Sequence, residues 1–253
     1  MNYEPFISSA NPQPEWPADR LPGCLPRRSR YGEWFPKLED HITVVPRNQW
    51  AQIAAAQTPK RKYVQSVLDQ DGVGSCATES TTGAVMLTRA IAGMNHVLLN
   101  PWFIYHHTSG GRDGGSSIDD NLRFIQEYGI APEAVWPRSK GWREKPSQEA
   151  YDAAKQFCGI EVFDIGSVDE MVSALLLGYV VVWGANGHSV LKIDYIDETK
   201  GLDLNSWGTG WGDGGFGVWT NYKGVQWGYG AWALRTVTEA NAKIAVPHLS
   251  LAM

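Results

Sequence analysis

The strongest constraint on the fold is a change of pattern near Gly178. Beyond it lie YVVVW (179–183), HSVLKIDYI (188–196), GLDLN (201–205), FGVWT (216–220) and WALRTV (232–237), short apolar runs parted by glycine-rich turns, as strands are. Before it, apolar spacing and terminal signals predict helices. Asn48 to Gln57 reads as a short one and Cys76 to Met94 as a long, largely buried one. Asn100-Pro101 supplies a cap and a first-turn proline for WFIYHH. Ser117 to Tyr128 ends at Gly129, Ser147 to Cys158 follows, and Ser167 to Leu177 runs from a serine cap to Gly178. HITVV (41–45) is a candidate strand. Helices first and strands afterwards predict an α+β chain of two lobes, helical and then antiparallel and β-barrel-like. The implied units are 1–40, a proline-rich extension; 41–150, the helical lobe; 151–236, the β-rich lobe; and 237–253, a tail.

Seven of the 14 prolines fall in the first 40 residues. Proline fixes φ and lacks the N–H donor, so this segment should be an extended strap. Its LPRRSR run reads as a solvated basic loop in preference to a processing site. Lys plus Arg number 22 against 27 Asp plus Glu, a net charge of −5, which argues against a nucleic-acid partner needing a dense basic face. The apolar stretch Met171 to Ala185 is too short to span a bilayer. The N-terminus lacks the basic start and apolar block of a signal peptide. Membrane association and signal-led secretion are therefore not expected. Cys24, Cys76 and Cys158 leave at least one thiol unpaired and make neither a disulfide framework nor a zinc pattern, in keeping with a reducing, intracellular environment.

Three segments carry chemistry. In Gln70-Asp-Gly-Val-Gly-Ser-Cys76 a glycine-rich run enters a cysteine that opens an apolar helix. Free N–H groups and the positive dipole end favour thiolate there, and Gln70 can add an amide donor for an oxyanion. His188 begins an apolar strand. Asn205 ends the next one, before the glycine- and tryptophan-rich GTGWGDGGFGVW, so a hairpin would bring its carboxamide to the imidazole. Taken singly, such a cysteine is more often a small core residue and such a histidine a structural one. His106-His107 with Asp113, Asp119 and Asp120 lack metal-ligand spacing, and Cys158 reads as buried. Glu79, one turn after Cys76, either opposes thiolate formation or bridges the lobes.

Together Gln-x-Gly-x-Gly-Ser-Cys, Gly-His-Ser-Val and Asn-Ser-Trp-Gly-x-Gly-Trp-Gly-x-x-Gly-Phe-Gly resemble the papain-like (C1) cysteine peptidases, over roughly Ser66 to Arg235. The block from Asn100 to Pro137 resembles the family's stretch from its second helix through a Gly-Gly wall. The resemblance implies a two-lobe fold with the active site in the cleft between. Cys76 would be the nucleophile, His188 its base in a thiolate–imidazolium pair, and Asn205 the group that orients the imidazole. Gln70 and the Cys76 N–H would form the oxyanion hole. Trp207 would shield the Asn–His bond, and Gly114, Gly115 and Ser189 would line the substrate site. The implied partner is a peptide or protein substrate, with no cofactor, metal, nucleic acid or membrane.

Departures from the family qualify this. Ala77 follows the nucleophile in place of the usual Trp, and Val73 and Arg112 replace both ends of a family disulfide, which fits a microbial or virus-associated branch. The Cys76–His188 span is shorter than the ~130–150 residues of cathepsins, so a loop has been trimmed. Asn186 and Ser117 fall where the family builds an apolar pocket. The extension is too short for a cathepsin-like helical propeptide; it is expected to pack on the body, the cleft being one route open to it, and Cys24 reads as an inert half-buried thiol in preference to one near the site. Two other readings share these residues: a non-catalytic papain-fold binding or structural protein, and an amidase acting on cell-wall or isopeptide bonds.

Overall fold

The computed structural model describes residues 19–237. The first part of the proline-rich extension and the tail from 238 onward lie outside the described residues. In chain order the elements are β1 (Cys24–Leu25), α1 (Trp50–Ala55), α2 (Cys76–Ile91), α3 (Pro101–Thr108), β2 (Ser116–Ser117), α4 (Ile118–Tyr128), α5 (Gln148–Ala154), β3 (Ile160–Asp164), α6 (Val168–Leu176), β4 (Val180–Ala185), β5 (His188–Asp197), β6 (Lys200–Leu204), β7 (Phe216–Gly217) and β8 (Ala231–Thr236).

The helix α2 lies at the centre, buried on every side from Cys76 to Thr88. Its Thr-rich first half is a weak helix former, yet its hydroxyls turn back onto the helix's own carbonyls. Thr78 Oγ1 donates to Ser75 O at 2.8 Å, Ser80 Oγ to Ala77 O at 3.1 Å and Thr81 Oγ1 to Ala77 O at 2.9 Å. Satisfied this way, the polar side chains can be buried between α3 and α4 on one side and the sheet on the other. The sequence caps operate. Asn100 Oδ1 accepts from Trp102 N at 2.9 Å with Pro101 in the first turn, and Ser167 Oγ exchanges hydrogen bonds with the Glu170 N–H and carboxylate. The helix α4 stops at Gly129, where φ is +79° and a Cβ would sit 1.9 Å from Ala154 O. Gly129→Ala should therefore cost roughly 2–4 kcal/mol, read as a lower denaturant midpoint at constant m-value.

Six strands form one sheet in the order β3-β8-β4-β5-β6-β7, every pair antiparallel. β4 and β5 are joined by Asn186 (φ +55°) and Gly187 (φ +74°), a two-residue turn of the kind that matches strand twist. This turn delivers His188 directly to the strand end. β5 pairs with β6, carrying Asn205 alongside just past Leu204.

Three local readings differ from the structure. HITVV is no strand: Ile42 and Val45 drop into the core, Val45 N donates to Ser173 Oγ at 2.9 Å, and Pro46 follows. Ile160–Asp164, unforeseen as a strand, pairs with β8. Cys158 is only half-buried, because Phe157 takes the core position at the end of a 3₁₀ turn. Among the described residues no helix is long and apolar enough to cross a membrane.

Candidate active site

Chain reversal at Asp71 (φ +49°) and Gly72 (φ +73°) brings Gln70 back beside the start of α2, where Cys76 is fully buried. The Cys76 sulfur lies 4.0 Å from Gly187 O, and the nearby backbone N–H groups of Ser189, Gly23 and Ala77 favour its thiolate. The residue before His188 therefore lies against the sulfur. His188 Nε2 pairs with Asn205 Oδ1 at 2.7 Å, and the same oxygen accepts from Ser206 N at 2.7 Å. The Trp207 ring stacks on the imidazole at 4.8 Å. Gln70 Oε1 accepts from Trp207 Nε1 at 2.9 Å, while its Nε2 donates to Val73 O at 2.7 Å and to Leu21 O at 3.0 Å.

Sequence reasoning missed the support behind His188. Trp219 packs its ring 4.6 Å from the imidazole, and its backbone N donates to Asp203 Oδ2 at 2.9 Å. Asp203 also accepts from Trp183 Nε1 at 3.0 Å and pairs with Lys192 at 2.9 Å, both charged side chains being wholly buried. Lys192 and Asp203 face each other across β5 and β6. The available signal was a lysine within the apolar run of one strand and an aspartate within that of the next.

The described part of the extension runs past the site. Gly23 N and Cys24 N both donate to Gly187 O, at 3.0 and 2.9 Å, and Ser116 N donates to Gly23 O at 2.9 Å. Beyond this, β1 runs parallel to β2. The passage is narrow: a Cβ on Gly23 would stand 2.0 Å from Gly74 O, and one on Gly115 (φ +91°) 2.5 Å from Gly23 O. Cys24 turns its thiol toward the space that Gly184 leaves open. Two buried carboxylates then clasp the strap. Asp164 takes Arg27 in a two-pronged ion pair and accepts from Gly32 N at 2.9 Å. Asp119 Oδ2 accepts from Arg28 N, Ser29 N and Ser29 Oγ at 2.8, 2.7 and 2.9 Å.

The structure thus gathers Cys76, His188, Asn205, Gln70, Trp207 and Gly115 around the strap. Gly114 faces open space, and Ser189 Oγ turns away to Ser80 Oγ at 2.6 Å. Asn186 is tied to Gln226 at the turn. Burial pushes the Cys76 thiol up to about 12, against smaller opposing effects of its backbone donors. Burial likewise pushes His188 down to about 4, partly offset by Asn205. With the strap in place, burial favours the uncharged form of both the thiol and the imidazole.

No protein-family model and no curated protein matches the sequence. Solved structures do. Xylellain, a cysteine protease from Xylella fastidiosa, is 20% identical with a TM-score of 0.64 over 85% of this chain and 96% of its own. The proform of the ragweed pollen cysteine protease Amb a 11 is 20% identical with a TM-score of 0.58 over 74% and 70%. Digestive procathepsin L 3 from the Tenebrio molitor larval midgut is 19% identical with a TM-score of 0.56 over 72% of each chain. What the likeness establishes is architecture: the chain has the papain-like two-lobe fold of cysteine proteases.

Proposed function

We propose that this protein is a papain-like cysteine peptidase held latent by its own N-terminal strap. One observation carries the reading. The His188–Asn205 hydrogen bond of 2.7 Å adjoins Gly187, whose carbonyl is 4.0 Å from a cysteine at a helix N-terminus. Neighbours of the same fold solved as a proform and as a bromelain precursor accord with a latent state.

Once the cleft is open, His188 takes the Cys76 proton on the ring nitrogen turned away from Asn205, and the thiolate attacks the scissile carbonyl carbon. Gln70 Nε2 and the Cys76 N–H receive the developing oxyanion; in the closed chain Gln70 instead holds Leu21 O. The imidazolium returns its proton to the leaving amine as the C–N bond breaks, leaving a thioester on Cys76. Water, deprotonated by His188, then releases the acid. Asn205 holds the tautomer throughout, and Trp207 keeps that hydrogen bond dry.

The test is labelling by an epoxysuccinyl reagent with peptide mass mapping, on the full chain and on Gly23→Ala, which crowds the strap out of its passage. We expect stoichiometric label on Cys76 in Gly23→Ala, lost when His188→Ala is added. Silence in both forms would overturn the peptidase reading in favour of a papain-fold binding protein. Label on Cys76 without turnover of any peptide would direct attention to cell-wall or isopeptide amides.

A further inference from the structure

Glu79 lies one helical turn along α2 from Cys76 and is 1% exposed. One carboxylate oxygen is well held: Oε1 accepts from Arg138 Nη2 at 2.8 Å and from Ser75 Oγ at 3.0 Å. Oε2, equally buried, has no hydrogen-bond partner among the described residues. The same is true of Asn205 Nδ2, the other end of the amide that holds His188. These two residues line one small, partly open cavity with about 10 Å³ of room for the centre of a water, with Ser66, Ser80 and Ser206 on its polar side and Leu68, Leu191 and Leu204 on its apolar side. That volume is about the space one water needs, and a buried water needs polar partners of this sort.

We propose that Glu79 is a positioning residue for the His188–Asn205 pair, joined to it through a single water that accepts from Asn205 Nδ2 and donates to Glu79 Oε2. The catalytic consequence rests on the peptidase reading; the coupling itself does not. A carboxamide presents an acceptor and a donor on opposite sides, and Asn205 must keep its oxygen toward His188 Nε2. Tethering the NH₂ side to a fixed carboxylate opposes the flip that would aim a donor at the imidazole. A bridging water serves nearly as well as direct contact.

The tether is sensitive to protonation, because only the carboxylate leaves Oε2 purely an acceptor. Burial holds the Glu79 carboxyl at about 7, with Arg138 and Ser75 pulling it down and Asp71 and Asp69 pushing it up. Cys76, on the same helix, is a further titratable neighbour. Raising pH through neutrality charges Glu79 and tightens the tether.

The experiment follows the Asn205 side-chain amide by ¹⁵N NMR in the full chain from about pH 5 to 9. In the native protein its shift should titrate with a midpoint near that of Glu79. Glu79→Gln should abolish the titration. Arg138→Met, which removes the neighbouring cation at a half-exposed position, should move the midpoint to higher pH, and it carries the test if Glu79→Gln does not fold. An Asn205 amide that does not titrate in the native chain, or that titrates unchanged in either variant, overturns the proposal. In the Gly23→Ala background, Glu79→Gln should also lower kcat roughly tenfold with little change in KM, and remove the limb of the pH profile near neutrality. If Gly23→Ala neither labels nor hydrolyses, the peptidase reading fails, while the NMR titration still decides the coupling.

Discussion

Gly23→Ala combined with Arg27→Ala is expected to speed alkylation of Cys76 at pH 7 by about a thousandfold over the native chain. The first change places a methyl group 2.0 Å from Gly74 O, which the backbone there cannot yield, and the second removes the ion pair to Asp164. With the strap lifted, water reaches a thiol that burial had pushed up to about 12. A return toward the ~8.5 of an ordinary cysteine raises the thiolate fraction by about three decades. The pH profile should change shape as well as height. In the native chain the rate keeps climbing through the alkaline range, because the neutral thiol is favoured until high pH. In the opened chain hydration also lets His188 take up a proton, so the ion pair can form and reactivity should begin well below ~8.5. Iodoacetamide kinetics followed by intact mass settle the matter, and equal rates in the two chains would show that the strap does not govern access.

The second large effect is on stability. Asp203→Ala should cost about 3–5 kcal/mol, since it strands Lys192 as an unpaired charge in a dry interior and also releases Trp183 Nε1 and Trp219 N. Removing both charges together, Lys192→Met with Asp203→Leu, should recover the part of that loss that comes from the stranded lysine. Two orphaned N–H groups would then remain, each costing about 1–3 kcal/mol. Denaturant midpoints of the two variants provide the comparison. A double variant no better than the single one would mean that the tryptophan N–H groups, not the buried cation, dominate. Because Trp219 packs on His188, the single variant should also disturb the site.

The legibility of this chain follows the range of the forces involved. Cys76, His188 and Asn205 could be singled out because local signals mark them: a glycine-rich run into a helix start, a strand beginning, a strand ending before a glycine-rich turn. Helix caps were readable for the same reason, as Asn100 and Ser167 act on N–H groups two or three residues away. HITVV is misleading because two of its three apolar residues, Ile42 and Val45, are buried by side-chain contact and no strand pairs with it among the described residues. FGVWT shrank to Phe216–Gly217 because Asp203 captures the Trp219 N–H and ends the ladder. The strap's composition announced an extended segment, but its route depends on glycines at 74 and 115 and carboxylates at 119 and 164, far away in sequence. Glu79 was noticed as ambiguous, and only the packing reveals Arg138 as its partner.

A strap joined to the body it occupies competes as a neighbour, not as a solute. Tethering gives it an effective concentration in the millimolar range or above, so a free peptide copying residues 19–30 would displace it poorly. On the proposed latency, a cleft-directed ligand reports its intrinsic affinity weakened by the fraction of chains that are open. If about one chain in a thousand is open, a nanomolar ligand reads as micromolar. Potencies measured on the intact chain are therefore first a measurement of how firmly the strap is seated, and two ligands can be ranked on it only at a common degree of closure.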